Sequence, residues 1–179
     1  DAATFRVFGL TVASEFPLPE LPLAWGPASV HIRYGKTPEE LENALLRQEY
    51  CQAGPDQMLL NVPNVGRFHV RNGTCIPNET VMVADKINIR LFLLGTAFGA
   101  LMMQRGILPV HGSSIVLDGR GIIFTGASGV GKSSLLAAFR QQGASFLSDD
   151  VAAVTIDADG TPWLHPAYPQ QKLWRDSAE

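Results

Sequence analysis

Eight consecutive residues fit the phosphate-loop pattern G-x-x-x-x-G-K-[ST] at every position: Gly126, Ala127, Ser128, Gly129, Val130, Gly131, Lys132 and Ser133. A loop that wraps around phosphate must point successive backbone N–H groups inward, which needs conformations that glycine tolerates. In such a loop Lys132 adds positive charge at the β- and γ-phosphates, and the Ser133 hydroxyl is placed to coordinate Mg²⁺. We therefore predict that this loop, with Ser134 behind it, binds ATP and Mg²⁺.

The residues on either side of the loop have the patterns of a strand and a helix. Residues 121–125 are short and apolar, as expected of a buried strand. The stretch after the loop carries Leu135, Leu136 and Phe139 and reaches a C-terminal stop at Gly143. A helix that begins at the loop adds its positive N-terminal dipole to the phosphate site. The alternative is a glycine-rich turn that matches the pattern by chance, and such a turn would not need a strand before it and a helix after it.

Two adjacent carboxylates, Asp149 and Asp150, follow the apolar pair Phe146-Leu147 and begin 17 residues after Lys132. Enzymes with this kind of loop need a carboxylate at a strand end to hold Mg²⁺. Neighbouring residues at a strand end point in opposite directions, so one can face the metal and the other the nucleophile. The alternative is that one or both only cap a turn, as Asp often does.

One histidine lies close enough in sequence to take part. His111 precedes Gly126 by 15 residues and starts a predicted strand beside the phosphate-loop strand, from which it could reach the γ-phosphate or the acceptor hydroxyl. A lone histidine is more often structural, and this applies more strongly to His31, His69 and His165. No pair of histidines has metal-ligand spacing.

Composition excludes several classes of function. The net charge is −3 and no basic block occurs, which argues against nucleic acid and against an anionic membrane surface. The longest apolar stretch, residues 91–103, is shorter than the roughly 18–20 residues that span a bilayer, so we expect a buried helix there. Cys51 and Cys75 are expected to be free thiols in a cytoplasmic protein.

The chain divides into two predicted domains, with a boundary near residues 85–105. Residues 1–85 have strand patterns and no reactive cluster, so we expect a β-rich domain that binds the acceptor or a partner. Thr37-Pro38-Glu39-Glu40 predicts a capped helix start, and Asn72-Gly73 predicts a tight turn. Residues 86–179 carry the nucleotide motifs.

The segment HGSSIVLDGRGIIFTGASGVGKSSLLAAFRQQGASFLSDDV resembles the catalytic core of HPr kinase/phosphorylase, and the resemblance covers about residues 107–155. It implies an α/β fold with a P-loop core. It also implies that Lys132 stabilises the transferred phosphoryl group and that Ser133 and Asp150 hold Mg²⁺. By the same resemblance Asp149 is the general base on an acceptor serine, and His111 sits beside the transferring phosphate.

The flanking sequences depart from HPr kinase proper. FGLTVASEFPLPELP and HPAYPQQKLW look more like a divergent branch found with lasso-peptide biosynthesis, whose members phosphorylate a serine at the C-terminus of the precursor peptide. HPr kinases are oligomers, so a homo-oligomer is possible. They also have a further loop and C-terminal helices, so we expect a C-terminal segment to be missing from the kinase core, cleaved or disordered.

Three classes of function therefore remain open. The first is an ATP-dependent serine kinase acting on a peptide or small protein, either a lasso-peptide precursor or, as in HPr serine kinase/phosphorylase, the protein HPr. The second is a regulatory P-loop ATPase without an acceptor. The third is a small-molecule kinase or a carboxykinase-like enzyme, because phosphoenolpyruvate carboxykinases share this type of loop.

Overall fold

The computed structural model describes residues 3–127 and 129–167. The expected α/β fold class is wrong, because the structure is mostly β, with 41% strand and 18% helix. The strands are β1 (Ala3–Val7), β2 (Leu10–Ser14), β3 (Val30–Tyr34), β4 (Leu46–Arg47), β5 (Cys51–Ala53), β6 (Gln57–Val62), β7 (Gly66–Arg71), β8 (Cys75–Thr80), β9 (Leu108–His111), β10 (Ser113–Leu117), β11 (Arg120–Phe124), β12 (Ser145–Ser148), β13 (Val151–Ile156) and β14 (Pro162–His165). The helical segments are α1 (Lys86–Phe92), a π-helical turn (Leu93–Ala97), α2 (Phe98–Gln104) and α3 (Lys132–Gln141).

Most of the first half forms one mixed sheet of eight strands in the order β1-β2-β3-β8-β7-β6-β5-β4. The pairs β2–β3 and β3–β8 are parallel, and β8–β7, β7–β6, β6–β5 and β5–β4 are antiparallel. Alternating apolar residues along the central strands point into the core and are fully buried: Val30, Ile32, Phe68, Val70 and Ile76. The predicted β-rich character of this half is therefore present.

Two local predictions in this half have opposite outcomes. The turn at Asn72-Gly73 is confirmed, since both residues have positive φ and join β7 to β8. The helix predicted to begin at Thr37 is wrong. The Thr37 amide and hydroxyl both donate to Glu79 Oε2 at 3.0 Å, and the Leu41 amide donates to Gln52 Oε1 at 2.8 Å. The hydroxyl that would cap a helix, and backbone amides of the segment, are therefore bonded to side chains of the sheet.

A continuous helix runs through α1, the π-helical turn and α2, from Lys86 to Gln104. Asp85 caps its start by accepting a hydrogen bond from the Ile87 amide, and Gly106 follows its end with φ of 72°. One face, including Leu93, Phe98 and Leu101, is fully buried, and the helix packs against β7. With a mean hydropathy of 1.3 over its apolar window, the helix is also long and apolar enough to cross a membrane, a property shared by core helices of soluble proteins.

Two three-stranded sheets follow, with the orders β11-β10-β12 and β14-β13-β9. Helix α3 packs on the first of them, where Ile115 and Leu136 are fully buried and Phe124 stacks on Phe139 with ring centroids 5.5 Å apart. The pattern of residues 107–119 predicts a single strand, but the chain forms β9 and β10 there, in different sheets. Gly112 separates them, and a Cβ atom there would lie 2.6 Å from the Phe124 carbonyl oxygen.

The order β11-β10-β12 explains why the α/β expectation fails. The strand before the loop and the strand before the two Asp residues each pair with β10 in antiparallel fashion. The strand–loop–helix segment predicted around residues 121–143 is present, but its strand belongs to a small antiparallel sheet. A parallel sheet covered by crossover helices does not form in the described residues.

The chain separates into two compact units. One consists mainly of Leu10–Pro19 and Leu23–Gly106, and the other of Arg6–Gly9, Glu20–Pro22 and the chain from Ile107 onward. The helix Lys86–Gln104 thus belongs with the large sheet, whereas the sequence grouped it with the nucleotide motifs. All candidate site residues lie in the second unit.

Candidate functional site

The phosphate-loop sequence connects β11 to α3. Gly129 and Gly131 have φ of 83° and 93°, a left-handed region that costs glycine little, and Gly131 is the N-cap of α3. Lys132 and Ser133 therefore occupy the first helical turn, with the exposed Ser134 after them. Ser128, predicted to contact nucleotide, lies outside the described residues. The loop backbone and the helix N-terminus together have the features of an anion site.

Lys132 is positioned by the loop itself. Its Nζ donates to the carbonyl oxygens of Gly126 and Ala127, each at 2.8 Å. These bonds hold the ammonium group on the first two residues of the loop. The ammonium group of Lys132 therefore lies against the glycine-rich backbone instead of projecting into solvent.

Asp149 lies against the start of α3. Its Oδ1 accepts a hydrogen bond from Ser133 Oγ at 3.0 Å and another from Ser113 Oγ at 2.9 Å. The residue is buried, with 9% exposure. A serine hydroxyl and a carboxylate in contact at the first turn behind a phosphate loop are the two protein groups that hold Mg²⁺ in P-loop enzymes.

Asp150 faces a different neighbour. Its Oδ1 lies 3.7 Å from His111 Nδ1, and the two side chains are 45% and 65% exposed, respectively. The backbone keeps them together, because β9 pairs with β13 so that His111 is opposite Val151, and the Gly112 amide donates to the Asp150 carbonyl at 3.1 Å. The 3.7 Å between His111 Nδ1 and Asp150 Oδ1 is too long for a hydrogen bond. The contact between these side chains is therefore electrostatic and depends on protonation of the histidine.

The two adjacent carboxylates thus diverge as the strand geometry predicts, but Asp149 is the one that contacts Ser133. The resemblance assigned that position, beside the metal, to Asp150. The two Asp residues form the connection between β12 and β13, and β12 is separated from the phosphate-loop strand by β10. Of the two, Asp149 contacts the residues that follow the loop, through its hydrogen bond with Ser133 at the start of α3.

Several polar contacts behind the site had not been predicted. Ser113 and Ser114 are both fully buried on β10, and the Ser114 and Ser148 hydroxyl groups lie 2.6 Å apart. The sequence did contain a signal, because two serines precede the apolar residues of a predicted core strand and buried hydroxyls need partners. The identity of those partners depends on strand pairing, which the local sequence does not reveal.

Two of the other three histidines have structural surroundings. His165 Nε2 lies 2.7 Å from Thr155 Oγ1, and a Cβ atom at Gly9 would approach the ring to 2.8 Å. His69 Nε2 lies 3.0 Å from Gln57 Oε1, and burial, aided by Arg71, lowers the pKa of His69. Cys51 and Cys75 are half-buried free thiols, and burial raises the pKa of Cys51.

The protein groups available to a metal are few. No cluster of three or more His, Cys, Asp or Glu residues that could hold an ion occurs within residues 3–127 and 129–167. Ser133 and Asp149 form a small oxygen pair, which suits Mg²⁺, since this ion is commonly held by one or two carboxylates plus substrate phosphates and water. The residues present therefore fit a metal that arrives with a nucleotide better than a permanently bound one.

A cavity of about 400 Å³ opens beside the loop. It is lined by Ile123, Phe124, Thr125, Val130, Gly131, Lys132 and Leu135. Val130 and Leu135 are 62% and 43% exposed, so apolar surface adjoins the lysine charge. Apolar side chains and a positively charged group therefore line the same cavity.

Comparisons with other proteins give no further assignment: no protein-family model, curated protein or solved structure matches this chain.

Proposed function

We propose that this chain is an ATP-dependent serine kinase of the HPr kinase type, acting on a hydroxyl group of a peptide or small protein. The observation that carries the proposal is the hydrogen bond from Ser133 to Asp149 behind a complete phosphate-loop sequence. It unites the loop, the helix N-terminus and a carboxylate in one place. These are the parts that phosphoryl transfer needs for binding a metal nucleotide.

In this proposal the loop amides and Lys132 bind the β- and γ-phosphates. Lys132 exchanges its bonds to the Gly126 and Ala127 carbonyl oxygens for bonds to phosphate oxygens, which are stronger because both partners are charged. Ser133 and Asp149 would hold Mg²⁺, which neutralises charge on the phosphates when bound. The Ser133 hydroxyl can coordinate with its oxygen while its proton remains directed at Asp149.

The second Asp favours a kinase over a simple ATPase. Asp150 is 45% exposed and lies beside His111, so an acceptor hydroxyl can approach it, whereas Asp149 is buried and already accepts two hydroxyl hydrogen bonds. A general base must be within reach of the proton that it removes. We therefore propose Asp150 as the base and Asp149 as the metal-side carboxylate, the reverse of the assignment implied by the resemblance.

The transfer step then follows. The acceptor oxygen forms a bond to the γ-phosphorus while the bond from that phosphorus to the β,γ-bridging oxygen breaks. ADP leaves with the electron pair, and the acceptor proton passes to Asp150. In this arrangement His111, which lies 3.7 Å from Asp150, would sit beside the transferred group. A protonated His111 would attract the negative charge of that group.

The proposed acceptor is the C-terminal serine of a lasso-peptide precursor, with HPr as the alternative, and residues 1–85 are proposed to bind it. The support is the resemblance of residues 107–155 together with the flanking sequences that depart from HPr kinase. The proposed location is the cytoplasm, where ATP is supplied.

Transfer of ³²P from γ-labelled ATP tests the proposal. The chain is incubated with Mg²⁺ and, in separate reactions, a precursor peptide ending in Ser, the same peptide ending in Ala, and HPr. Label on the Ser peptide alone supports the proposal, and label on HPr supports the alternative. Release of phosphate that is independent of any acceptor would identify an ATPase, and label on a metabolite would identify a small-molecule kinase.

A further inference from the structure

Ser113 is fully buried on β10 and contacts the end of β12. Its Oγ lies 2.9 Å from Asp149 Oδ1 and 3.0 Å from the Asp149 backbone carbonyl oxygen. A serine hydroxyl has one proton to donate, and both of these acceptors belong to the same residue. Ser113 therefore shares its one proton between the backbone carbonyl and the carboxylate of Asp149, and this bifurcated contact holds both parts of that residue.

The pairing of β10 with β12 produces this contact. Ser114 is opposite Ser148, and the register shifts between Ser114 and Ile115, where Ile115 is opposite Phe146. This irregularity lies near the end of β12, just before Asp149, whose side chain contacts Ser133 on α3. The Ser113 hydroxyl contacts Asp149 at this point. Because Ser113 has no exposed surface, water does not replace this hydrogen bond.

The same carboxylate oxygen receives both hydroxyl groups. Asp149 Oδ1 accepts from Ser113 on one strand and from Ser133 on α3. Two donors from different elements hold the plane of the carboxylate more firmly than Ser133 alone could. The loss of either donor would let the carboxylate turn and would remove a hydrogen bond that stabilises its negative charge.

We propose that Ser113 is a positioning residue, which orients Asp149 so that Asp149 and Ser133 together bind a divalent cation delivered with a nucleoside triphosphate. This inference rests on the proposed function only in its nucleotide-binding part and does not depend on the acceptor. Partners of this kind behind a metal ligand typically contribute about 10–100-fold to metal affinity.

Ser114 provides a matched control. It is the next residue of the same strand, is equally buried, and has a hydroxyl hydrogen bond, but its partner is Ser148 instead of Asp149. Ser113→Ala and Ser114→Ala each remove one buried hydroxyl group. A general loss of packing or stability affects both variants, whereas a positioning role affects only the first.

The experiment measures binding of a fluorescent ATP analogue to the full chain as Mg²⁺ is increased, together with the midpoint of urea unfolding. Ser113→Ala is expected to raise the Mg²⁺ concentration at half-saturation about tenfold or more, and Ser114→Ala to leave it within about twofold of the unmodified chain. Ser113→Cys keeps the size of the side chain with a weaker donor and is expected to give an intermediate value.

Equal Mg²⁺ dependence in Ser113→Ala and the unmodified chain, or equal shifts in the two alanine variants, would overturn the positioning role. If Ser113→Ala does not fold, Ser113→Cys decides: an unchanged Mg²⁺ dependence then overturns it. If the chain binds Mg²⁺ and ATP but transfers label to no acceptor, the kinase proposal is refuted, whereas the positioning role of Ser113 is unaffected. Absence of Mg²⁺-dependent ATP binding in the unmodified chain overturns both.

Discussion

Ser133 donates a hydrogen bond to Asp149 over 3.0 Å, which joins the first turn of α3 to the end of β12. The two residues are 16 positions apart: Ser133 is in α3 and Asp149 directly follows β12, and both of these elements pack against β10. In the proposed site this contact sets the first turn of α3, which would supply the phosphate-binding backbone and a metal-binding hydroxyl, against a carboxylate.

Replacement of the loop lysine tests whether the loop holds the reacting phosphate. Lys132→Ala removes the ammonium group that donates to the Gly126 and Ala127 carbonyl oxygens. We expect transfer to fall by about 10²–10³-fold or more and ATP binding to weaken. Arg140→Ala is the control, since Arg140 is in the last turn of the same helix and stacks on Phe146. Normal turnover by Lys132→Ala would show that the phosphates bind elsewhere.

Metal dependence is the second prediction. Activity is expected to require Mg²⁺ or Mn²⁺, to disappear in EDTA and to return when Mg²⁺ is restored, because the available ligands are oxygen atoms. Ser133→Ala is expected to raise the Mg²⁺ requirement by about tenfold, whereas Ser145→Ala, an exposed position on β12, is expected to leave it unchanged. Full activity in EDTA would contradict the proposed chemistry.

Local signals predicted several element boundaries in the second unit, although not the division of residues 107–119 into β9 and β10. The glycines of the loop and Gly143 mark where α3 begins and ends. Each depends on backbone preferences within a few residues. The same holds for Asn72-Gly73, since both residues adopt positive φ in the turn.

Long-range pairing was not predictable in the same way. Ser113 and Asp149 are 36 residues apart, and they meet only because β10 lies between β11 and β12. A strand–loop–helix motif does not state which strand will be its neighbour, so the expected α/β order was wrong. The prediction of a helix at Thr37 was wrong for the same reason, because the hydrogen-bond partner of Thr37 is Glu79, 42 residues away.

The contact between Thr37 and Glu79 gives a prediction about stability. Hydrogen bonds from the Thr37 amide and hydroxyl, with a smaller contribution from Arg67, lower the pKa of the Glu79 carboxyl. A carboxylate with a lowered folded-state pKa stabilises the fold at pH values above its unfolded pKa of about 4.3. This contribution is lost as the pH falls through the lower folded-state value.

Glu79→Gln should therefore lower the urea midpoint at pH 7, and the difference from the unmodified chain should shrink as the pH is lowered below about 4. Urea unfolding measured at a series of pH values gives both results. Glu39→Gln, at an exposed position, serves as the control and is expected to change neither. A midpoint difference that stays constant down to the lowest pH would show that charge on Glu79 does not contribute.

The roles of the two adjacent carboxylates give the last prediction. Asp149→Asn keeps an oxygen that can accept from Ser113 and Ser133 but removes the negative charge, so we expect a higher Mg²⁺ requirement and weaker binding of metal nucleotide. Asp150→Asn removes the proposed base. We expect it to cut the transfer rate by about 10²–10⁴-fold, or roughly 3–5 kcal/mol, and to leave the ATP dissociation constant within a few-fold.

The measurements are single-turnover transfer and equilibrium ATP binding across a range of Mg²⁺ concentrations, with Asp159→Asn in the β13–β14 turn as the control. The base must be approachable and the metal ligand must contact Ser133, and in this structure those requirements separate onto the exposed Asp150 and the buried Asp149. If Asp149→Asn instead loses only the rate while Asp150→Asn loses metal binding, the assignment implied by the resemblance is correct. If both variants lose less than tenfold in rate, neither carboxylate is a general base, and transfer depends on the positioning and charge that Lys132 and Mg²⁺ provide.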